Sequence, residues 1–139
     1  MVIGQWSPDS LQNIGAVLDR LPAAMATLAA PNTRRAFLSA AATALEQAKA
    51  GLAAVILAEV GKTPSEAADE VDYAISFLRH ALTQVQDGHP GEGGHQSEGE
   101  RRLRVVAAGP VLAITPYNDP WAGIVRKIAP AIAAGCPVV

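Results

Sequence analysis

The single cysteine, Cys136, is the first candidate for chemistry in this sequence, because a thiolate is a strong nucleophile. A catalytic thiol needs a helix N-terminus or a nearby cation that favours the thiolate form. Cys136 instead follows Gly135 at the predicted C-terminal end of a helix, where the helix dipole opposes a negative charge. We therefore interpret Cys136 as a small buried apolar residue.

Two histidines and a glutamate form a second group that deserves a test as metal ligands. His89, Glu92 and His95 lie in the stretch DGHPGEGGHQSEGE, which has the composition of a flexible loop. Histidines six residues apart in such a loop match no defined metal site. We predict solvated loop histidines and no metal site; His80, on a predicted helix, is expected at the surface or partly buried without chemistry.

An asparagine between two prolines is the third candidate. Asn118 lies between Pro116 and Pro120, directly after the apolar run Val111 to Ile114. Asparagine is common in turns because its side chain hydrogen-bonds to nearby backbone. From the residues alone, an ordinary turn asparagine is therefore the simplest interpretation.

The clearest element is a helix that starts at Thr63. In Thr63-Pro64-Ser65-Glu66, the threonine and glutamate can form a capping box, and the proline occupies a first-turn position that needs no N–H. The apolar face that follows is spaced as a helix requires. It consists of Ala67, Val71, Ile75, Leu78, Leu82 and Val85.

A second helical pattern begins near Asn32 or Thr33, either of which can cap it, and we expect it to end at Gly61. Gly51 is a candidate break between two helices within this pattern. Its apolar positions are Leu38, Ala41, Leu45, Ala48, Leu52 and Val55. A coiled-coil seam is the alternative, but the pattern is short and partly alanine, so we favour an ordinary buried helix face.

The C-terminal third alternates between extended and helical patterns. We predict strands at Leu103 to Val106 and Val111 to Ile114, a helix from Trp121 to Ala134 with Pro120 in its first turn, and a new strand from Pro137. Pro130 should kink or divide that helix. Because this order opens a parallel βαβ unit, the predicted fold class is α/β.

Four segments follow from these patterns. Residues 1–31 are poorly defined, with one short helix suggested by Leu11, Ile14, Leu18 and Leu21 and interrupted by Pro22 and Pro31. Residues 32–86 are helical, residues 87–109 form a glycine-rich loop with an extended piece, and residues 110–139 form an incomplete strand-turn-helix-strand unit.

Composition excludes several classes of function. The chain has 139 residues, is 50% hydrophobic and carries a net charge of −2, so it offers no basic surface for nucleic acid or an anionic membrane. The N-terminus lacks the pattern of a signal peptide, and no apolar run uninterrupted by Gly or Pro is long enough to span a bilayer. The lone cysteine suits a reducing compartment, so we expect a cytoplasmic protein.

The C-terminal stretch GPVLAITPYNDPWAGIVRKIAPAIAAGCPVV closely resembles the NAD(P)-dependent aldehyde dehydrogenase segment P-x-G-V-x-x-x-I-x-P-W-N-x-P, followed by K-x-x-P-A-L-x-A-G-N. LAEVGKTPSEAADEVDYAISFLRHAL resembles the family segment in which an acidic residue precedes G-K and a long helix follows. The resemblance covers residues 32–139 in order. It implies N-terminal helices and the start of a Rossmann-like parallel sheet, truncated before completion.

The resemblance also implies site residues. The family oxidises aldehydes to carboxylates through a cysteine thiohemiacetal, with NAD or NADP as hydride acceptor. Asn118 matches the asparagine that donates to the oxyanion. Ile114, Thr115, Pro116 and Tyr117 would line the cofactor crevice, and Lys127 matches a lysine near the active site. Tyr117 replaces the usual tryptophan, and Asp119 stands where a bulky apolar residue is more common.

The family's nucleophile, general base and phosphate-binding turn would all follow Val139. We therefore expect a piece of an aldehyde dehydrogenase that is inactive alone. The alternatives are a short protein that docks on a separately encoded remainder or a paralogue, and a helical interaction module. The resemblance further implies a homo-oligomer, with Leu103 to Val106 in contact with another chain.

Overall fold

The computed structural model describes residues 11–85 and 106–139, the side chains of Leu11 and Gln12 apart. This part of the chain forms five helices, and no strand is assigned in it. The helices are α1 (Leu11–Leu18), α2 (Leu21–Leu28), α3 (Pro31–Val60), α4 (Pro64–Gln84) and α5 (Pro120–Ala133). The glycine-rich stretch with His89 and His95 lies outside the described residues.

Four prolines of the described residues lie at the start of a helix. Pro22, Pro31, Pro64 and Pro120 all occupy the first or second helical position of α2 to α5. Proline is tolerated there because the first N–H groups of a helix have no partner within it. The prediction of one interrupted helix near the N-terminus is therefore wrong, since Pro22 starts a second helix, α2.

Helix α3 is a single element of 30 residues. The predicted division at Gly51 is wrong, because this glycine is exposed and the helix continues through it. The predicted cap at Asn32 or Thr33 is also wrong, because the N-cap position is Ala30 and Pro31 is the first helical residue. The predicted C-terminus is confirmed, with Gly61 in the left-handed region at φ 78°.

The buried face of α3 is narrower than the pattern predicts. Leu38 is buried as expected, and Ala41, Leu45 and Leu52 are partly buried, but Ala48 and Val55 are exposed. Ala42 and Ile56 are buried instead. Because α4 and α5 cover only one side of this long helix, part of its apolar surface faces solvent.

The capping box at the start of α4 is confirmed. The backbone N–H of Glu66 donates to Thr63 Oγ1 at 3.3 Å, and the backbone N–H of Thr63 donates to Glu66 Oε2 at 2.9 Å. The bond from Thr63 N–H, and a second from Thr63 Oγ1 to the same Glu66 Oε2 at 2.7 Å, hold the pKa of Glu66 below its ordinary value. The predicted face of α4 is buried, apart from a partly buried Leu82. His80 is exposed.

Helices α3, α4 and α5 pack around a core that uses small side chains at its contacts. Leu38, Leu78 and Val125 are buried together with five alanines of the same cluster, namely Ala42, Ala74, Ala81, Ala129 and Ala133. Alanine lets helix backbones approach closely and also favours the helical conformation. The abundance of alanine thus serves the helix contacts directly.

The length of α3 departs from the prediction that no apolar segment could span a bilayer. By length and composition this helix could cross a membrane, with a mean hydropathy of 1.2 over its most apolar window. A mostly buried core helix of a soluble protein passes the same test, but 11% of this window is buried in the structure. In this structure its middle residues Glu46 and Lys49 form ion pairs with Arg79 and Asp72 of α4, so α3 is fixed against a neighbouring helix.

The extended segments pair as one parallel bridge between Val111 and Val138. Val111 N–H donates to Pro137 O at 2.8 Å, Val139 N–H donates to Val111 O at 2.9 Å, and Ala113 N–H donates to Val139 O at 2.8 Å. The prediction of a strand from Val111 to Ile114 is thus wrong, because these residues form a single bridge and no strand is assigned to them. A sheet needs further neighbours to extend a ladder, and within the described residues these two segments pair only with each other.

Of the other predicted strand, Leu103 to Val106, only Val106 is described, and it is in no strand. Of the two effects predicted for Pro130, a division of α5 is wrong, because the helix runs through it to Ala133, and a kink stays a prediction. Gly135, at φ 82°, follows the end of α5 as predicted. The described part is therefore mostly helical, with the parallel pairing of the α/β prediction present as a single bridge.

Candidate functional site

The candidate site is the segment of residues 116–119, between the bridged segment and α5, which we call the bend because the chain bends at residues 117–119. Asn118 is exposed at this bend. The bend folds back on the first turn of α5, where a Cβ added to buried Gly123 would lie 3.9 Å from Pro116 Cδ. Asp119 O accepts the first helical hydrogen bond from Gly123 N–H at 2.8 Å. The bend is therefore continuous with the start of α5.

The N-terminus of α5 is capped by a carboxylate from another helix. Asp119 occupies the N-cap position, yet the capping acceptor is Glu70 of α4, whose Oε1 lies 2.8 Å from Trp121 N and 3.3 Å from Ala122 N. Only 3% of the Glu70 side chain is exposed. A negative charge at this position interacts favourably with the helix dipole and satisfies two otherwise unpaired N–H groups.

Lys62 joins this buried carboxylate to the bend. Its Nζ lies 2.6 Å from Glu70 Oε2 and 2.5 Å from Asp119 Oδ1, and 20% of its side chain is exposed. Burial acts to lower the pKa of Lys62, but the hydrogen bonds and charges of Asp119 and Glu70 outweigh it, so the net shift is upward. The short link between α3 and α4 places this lysine directly after Gly61.

Asp119 connects Lys62 to Asn118. Asn118 Nδ2 donates to Asp119 Oδ2 at 3.2 Å. The two carboxylate oxygens of Asp119 thus accept from Lys62 on one side and Asn118 on the other. Because a side-chain amide carries two N–H donors, one Asn118 N–H remains for another acceptor. We call Glu70, Lys62, Asp119 and Asn118 the amide network.

The predicted cofactor-lining residues form one exposed stretch next to Asn118. Ile114 is 76% exposed and Tyr117 is 87% exposed, and Thr115 and Pro116 are exposed as well. They follow the bridged residues without interruption, at the C-terminal end of that segment. In open α/β sheets, ligands bind outside such strand ends.

Lys127 lies elsewhere on α5. It is partly buried, about two helical turns beyond Pro120. Among the described residues it makes no ion pair or hydrogen bond with the amide network. The structure therefore brings together Asn118 and residues 114–117, but does not join Lys127 to them.

Lys62 and Glu70 are the residues that sequence reasoning missed. A signal for Glu70 was present, because it lies three residues after Ala67 and one before Val71, on the apolar face of α4. A carboxylate on a buried helix face requires a partner. Asp119 was noticed only as a departure from the family motif.

Cys136 is a free, buried cysteine, as interpreted from the sequence. Its backbone N–H donates to Ala131 O at 2.9 Å, closing the end of α5. As for metal ions, no three His, Cys, Asp or Glu residues are grouped to hold one within the residues described.

The sequence model of the aldehyde dehydrogenase family matches residues 12–139. The chain is similar to a probable succinate-semialdehyde dehydrogenase [NADP(+)] of Sinorhizobium fredii, with 41% identity over 90 residues that cover 63% of this chain and 18% of that protein.

Solved structures show the same similarity in three dimensions. The chain matches glyceraldehyde-3-phosphate dehydrogenase GapN of Methanocaldococcus jannaschii, complexed with NADP, at a TM-score of 0.82 and 25% identity over 99% of this chain and 30% of that one. It matches a double mutant of betaine aldehyde dehydrogenase of Staphylococcus aureus, in complex with NAD+, at a TM-score of 0.84 and 25% identity over 99% of this chain and 29% of that one. The chain thus spans less than a third of the length of these proteins.

Proposed function

The chain belongs to the aldehyde dehydrogenase family, and from this premise we propose that it supplies the oxyanion donor and one wall of the cofactor crevice in the oxidation of an aldehyde to a carboxylate. Asn118 is the donor. Residues 114–117 are the wall. The nucleophile and the general base come from outside these 139 residues, since the chain has a single cysteine and it is buried.

The observation that carries this proposal is the exposed amide of Asn118, with one N–H directed to Asp119 and a second left for a ligand. When a thiolate adds to an aldehyde carbon, the carbonyl oxygen gains negative charge. A donor already in place stabilises that charge more than the neutral carbonyl, so it lowers the barrier. The remaining N–H of Asn118 is suited to this role.

The residues present fit a nicotinamide cofactor. Ile114 and Tyr117 offer exposed apolar surface beside the amide, and a flat ring requires such a wall. The cofactor, when bound, accepts the hydride that leaves the aldehyde carbon. What this chain contributes is to flank the ring with residues 114–117 and to hold the substrate oxygen at Asn118. Relatives bind NAD+ or NADP, and the proposal extends to either.

The substrate class is a small aldehyde, in keeping with the name of the Sinorhizobium relative. We place the activity in the cytoplasm and in an assembly of several chains, as expected from the sequence. Lys127 is kept in this proposal as a residue near the active site.

A second candidate is favoured by the apolar side of the bridged segment. Leu112 and Ile114, two residues apart on one face, are both strongly exposed, as is Tyr117. Strands of a parallel sheet are normally covered on both faces. This surface fits a docking role, in which a separately encoded remainder of the enzyme, or a paralogue, covers residues 112–117.

The test begins with the intact mass of the polypeptide in its native cells. Purified material of that mass is then assayed for NAD(P)+ reduction with succinate semialdehyde. Asn118→Ala should lower kcat by about 100- to 1,000-fold with little change in KM. Asn32→Ala, an exposed asparagine elsewhere, is the matched control and should be silent.

The outcomes separate the candidates. A mass well above 14.4 kDa with aldehyde-dependent turnover supports the oxyanion role within one polypeptide. A mass of 14.4 kDa, with turnover only after a second protein copurifies, supports docking. If turnover is retained in full by Asn118→Ala, the proposed role of Asn118 is wrong.

A further inference from the structure

We propose that Asp119, held by Lys62, which Glu70 anchors in turn, is a positioning residue that fixes the orientation of the Asn118 amide. The inference rests on the proposed function of Asn118 and deepens it. It gives a role to Asp119, the residue at which this chain departs from the family motif.

The first point is that Asn118 is exposed. A solvent-exposed amide can rotate about its last side-chain bond, and a rotated amide would present its oxygen to an oxyanion. The hydrogen bond from Nδ2 to Asp119 Oδ2 at 3.2 Å restricts this rotation. It keeps the amide in one orientation, with its second N–H not used in a hydrogen bond among the described residues.

The second step concerns the charge of Asp119. A carboxylate beside an oxyanion site opposes the very charge that the site must stabilise. Lys62 Nζ, 2.5 Å from Asp119 Oδ1, offsets part of this charge, because the same ammonium also pairs with Glu70. The negative charge beside the amide is thus reduced, and Asp119 can act as its acceptor at a smaller electrostatic cost.

The third step is the anchoring of Lys62. A lysine on a flexible side chain positions nothing by itself, but this one is also 2.6 Å from Glu70 Oε2. The other oxygen of Glu70 accepts from the backbone of Trp121 and Ala122. The amide of Asn118 and the start of α5 are thus fixed in one frame through α4.

A purely structural interpretation makes a different prediction. If Glu70 serves only to cap α5, then Asp119 is an incidental partner of Lys62, and removing it leaves the Asn118 amide unchanged. The two interpretations differ at Asp119 and at Lys62, not at Glu70.

The direct test is nuclear magnetic resonance of the ¹⁵N-labelled 139-residue chain. In Asp119→Ala, the Asn118 side-chain amide should shift toward the free-asparagine position, and its exchange with solvent should rise by about three- to tenfold. The backbone amides of Trp121 and Ala122 should stay protected, because Glu70 still caps them.

The matched control is Asp72→Ala. Asp72 forms an ion pair with Lys49 at the same 2.5 Å and with similar exposure, but on the other side of α4. This variant should leave the Asn118 amide unchanged. An unchanged amide in Asp119→Ala, or an equal change in Asp72→Ala, overturns the proposal.

Lys62 supplies a second measurement. Lys62→Met should disturb the Asn118 amide, and Lys62→Arg should restore it, because arginine keeps the charge. In whichever native assembly oxidises aldehydes, Lys62→Met should lower kcat several-fold while KM stays within about twofold. Disturbance by Lys62→Arg equal to that by Lys62→Met would argue for packing alone.

The two proposals can fail separately. The amide resonances do not depend on turnover, so a change in Asp119→Ala without aldehyde oxidation supports positioning and removes the proposed function. Loss of turnover in Asn118→Ala with no change of the amide in Asp119→Ala supports the proposed function and removes positioning.

Discussion

Within the described residues, the start of α5 and the end of α2 are each capped by a charged side chain from another helix, and these two ends differ in what lies behind the charge. Glu70 accepts from the N-terminal N–H groups of α5. Arg34 of α3 donates from Nη1 to Leu28 O at 2.7 Å and Ala29 O at 3.0 Å, at the C-terminus of α2. Both charges have the sign that the helix dipole favours.

The surroundings of the two charges are opposite. Glu70 has Lys62 beside it, and the contacts continue to the surface at Asn118. Arg34 is 1% exposed, and burial and then the charge of Arg35 lower its pKa. Its Nε has no hydrogen-bond partner in the described residues, and a cavity of about 120 Å³ lies beside it. The Glu70 cap is thus connected by contacts to the candidate site, whereas the Arg34 cap joins the end of α2 and lies beside the cavity.

The largest expected effect is at Glu70. Glu70→Leu leaves Lys62 with one partner fewer and two N–H groups without an acceptor, so the free energy of unfolding should fall by about 3 to 5 kcal/mol. Urea unfolding followed by circular dichroism measures it. Glu46→Leu, which breaks the exposed pair with Arg79, should cost about 0 to 1 kcal/mol. Equal losses in the two variants would contradict the buried role of Glu70.

Arg34 should contribute less. Arg34→Met keeps an apolar side chain beside the cavity but leaves two carbonyl groups without their donor, so we expect a loss of about 1 to 3 kcal/mol in the free energy of unfolding. The Asn118 amide resonance should not move, because this cap has no contact with the amide network. Arg126→Met, at an exposed position of α5, is the control. A shift of the Asn118 resonance in Arg34→Met would contradict the claim that only the cap at α5 is connected to the amide network.

Alkaline pH should weaken only the end held by Lys62. Because the folded pKa of Lys62 is raised above its ordinary 10.5, its contribution to stability is full below about that pH and is lost as pH rises through the folded pKa. The difference in unfolding free energy between wild type and Lys62→Met, measured from pH 8 to 12, should be constant at first and then shrink. A difference that grows with pH would refute the assigned direction.

The smallest effect is expected at a third helix end, where the cap is local. Thr63→Ala removes the acceptor for Glu66 N–H, and about 1 kcal/mol of stability should be lost, measured by thermal unfolding. Thr63→Ser keeps the hydroxyl and should restore most of it. A loss as large as that of Glu70→Leu would mean that the local cap and the buried cap are equivalent.

These helix ends also show what the sequence could predict. The Thr63 cap was predictable because donor and acceptor lie three residues apart, so the signal is local. The Glu70 cap joins groups 51 residues apart, and only the position of Glu70 on an apolar face hinted at it. Contacts of that separation depend on how helices pack, which residue spacing within one element does not determine.

The predictions of a helix break at Gly51 and of a strand at residues 111–114 were wrong for related reasons. A glycine lowers helix stability by about 1 kcal/mol, an amount that the rest of a 30-residue helix can offset. Residues 111–114 have the composition of a strand, but a strand exists only through its neighbours, and composition does not state which neighbours are present. Asn118 and residues 114–117 were placed together by the family motif, whereas the network behind them was found only from the structure.

The separation of 51 residues between Glu70 and Trp121 has a consequence for biosynthesis. At roughly 5 to 20 residues per second, a ribosome needs about 3 to 10 seconds to make the intervening chain. During that interval α3 and α4 are complete but α5 is not yet synthesised. The Glu70 carboxylate therefore lacks the N–H groups of α5 as hydrogen-bond donors. Lys62, eight residues from Glu70 and already synthesised, can form its ion pair at once. We expect Lys62 to neutralise the Glu70 carboxylate in the nascent chain until α5 is synthesised and its N–H groups bind the same carboxylate.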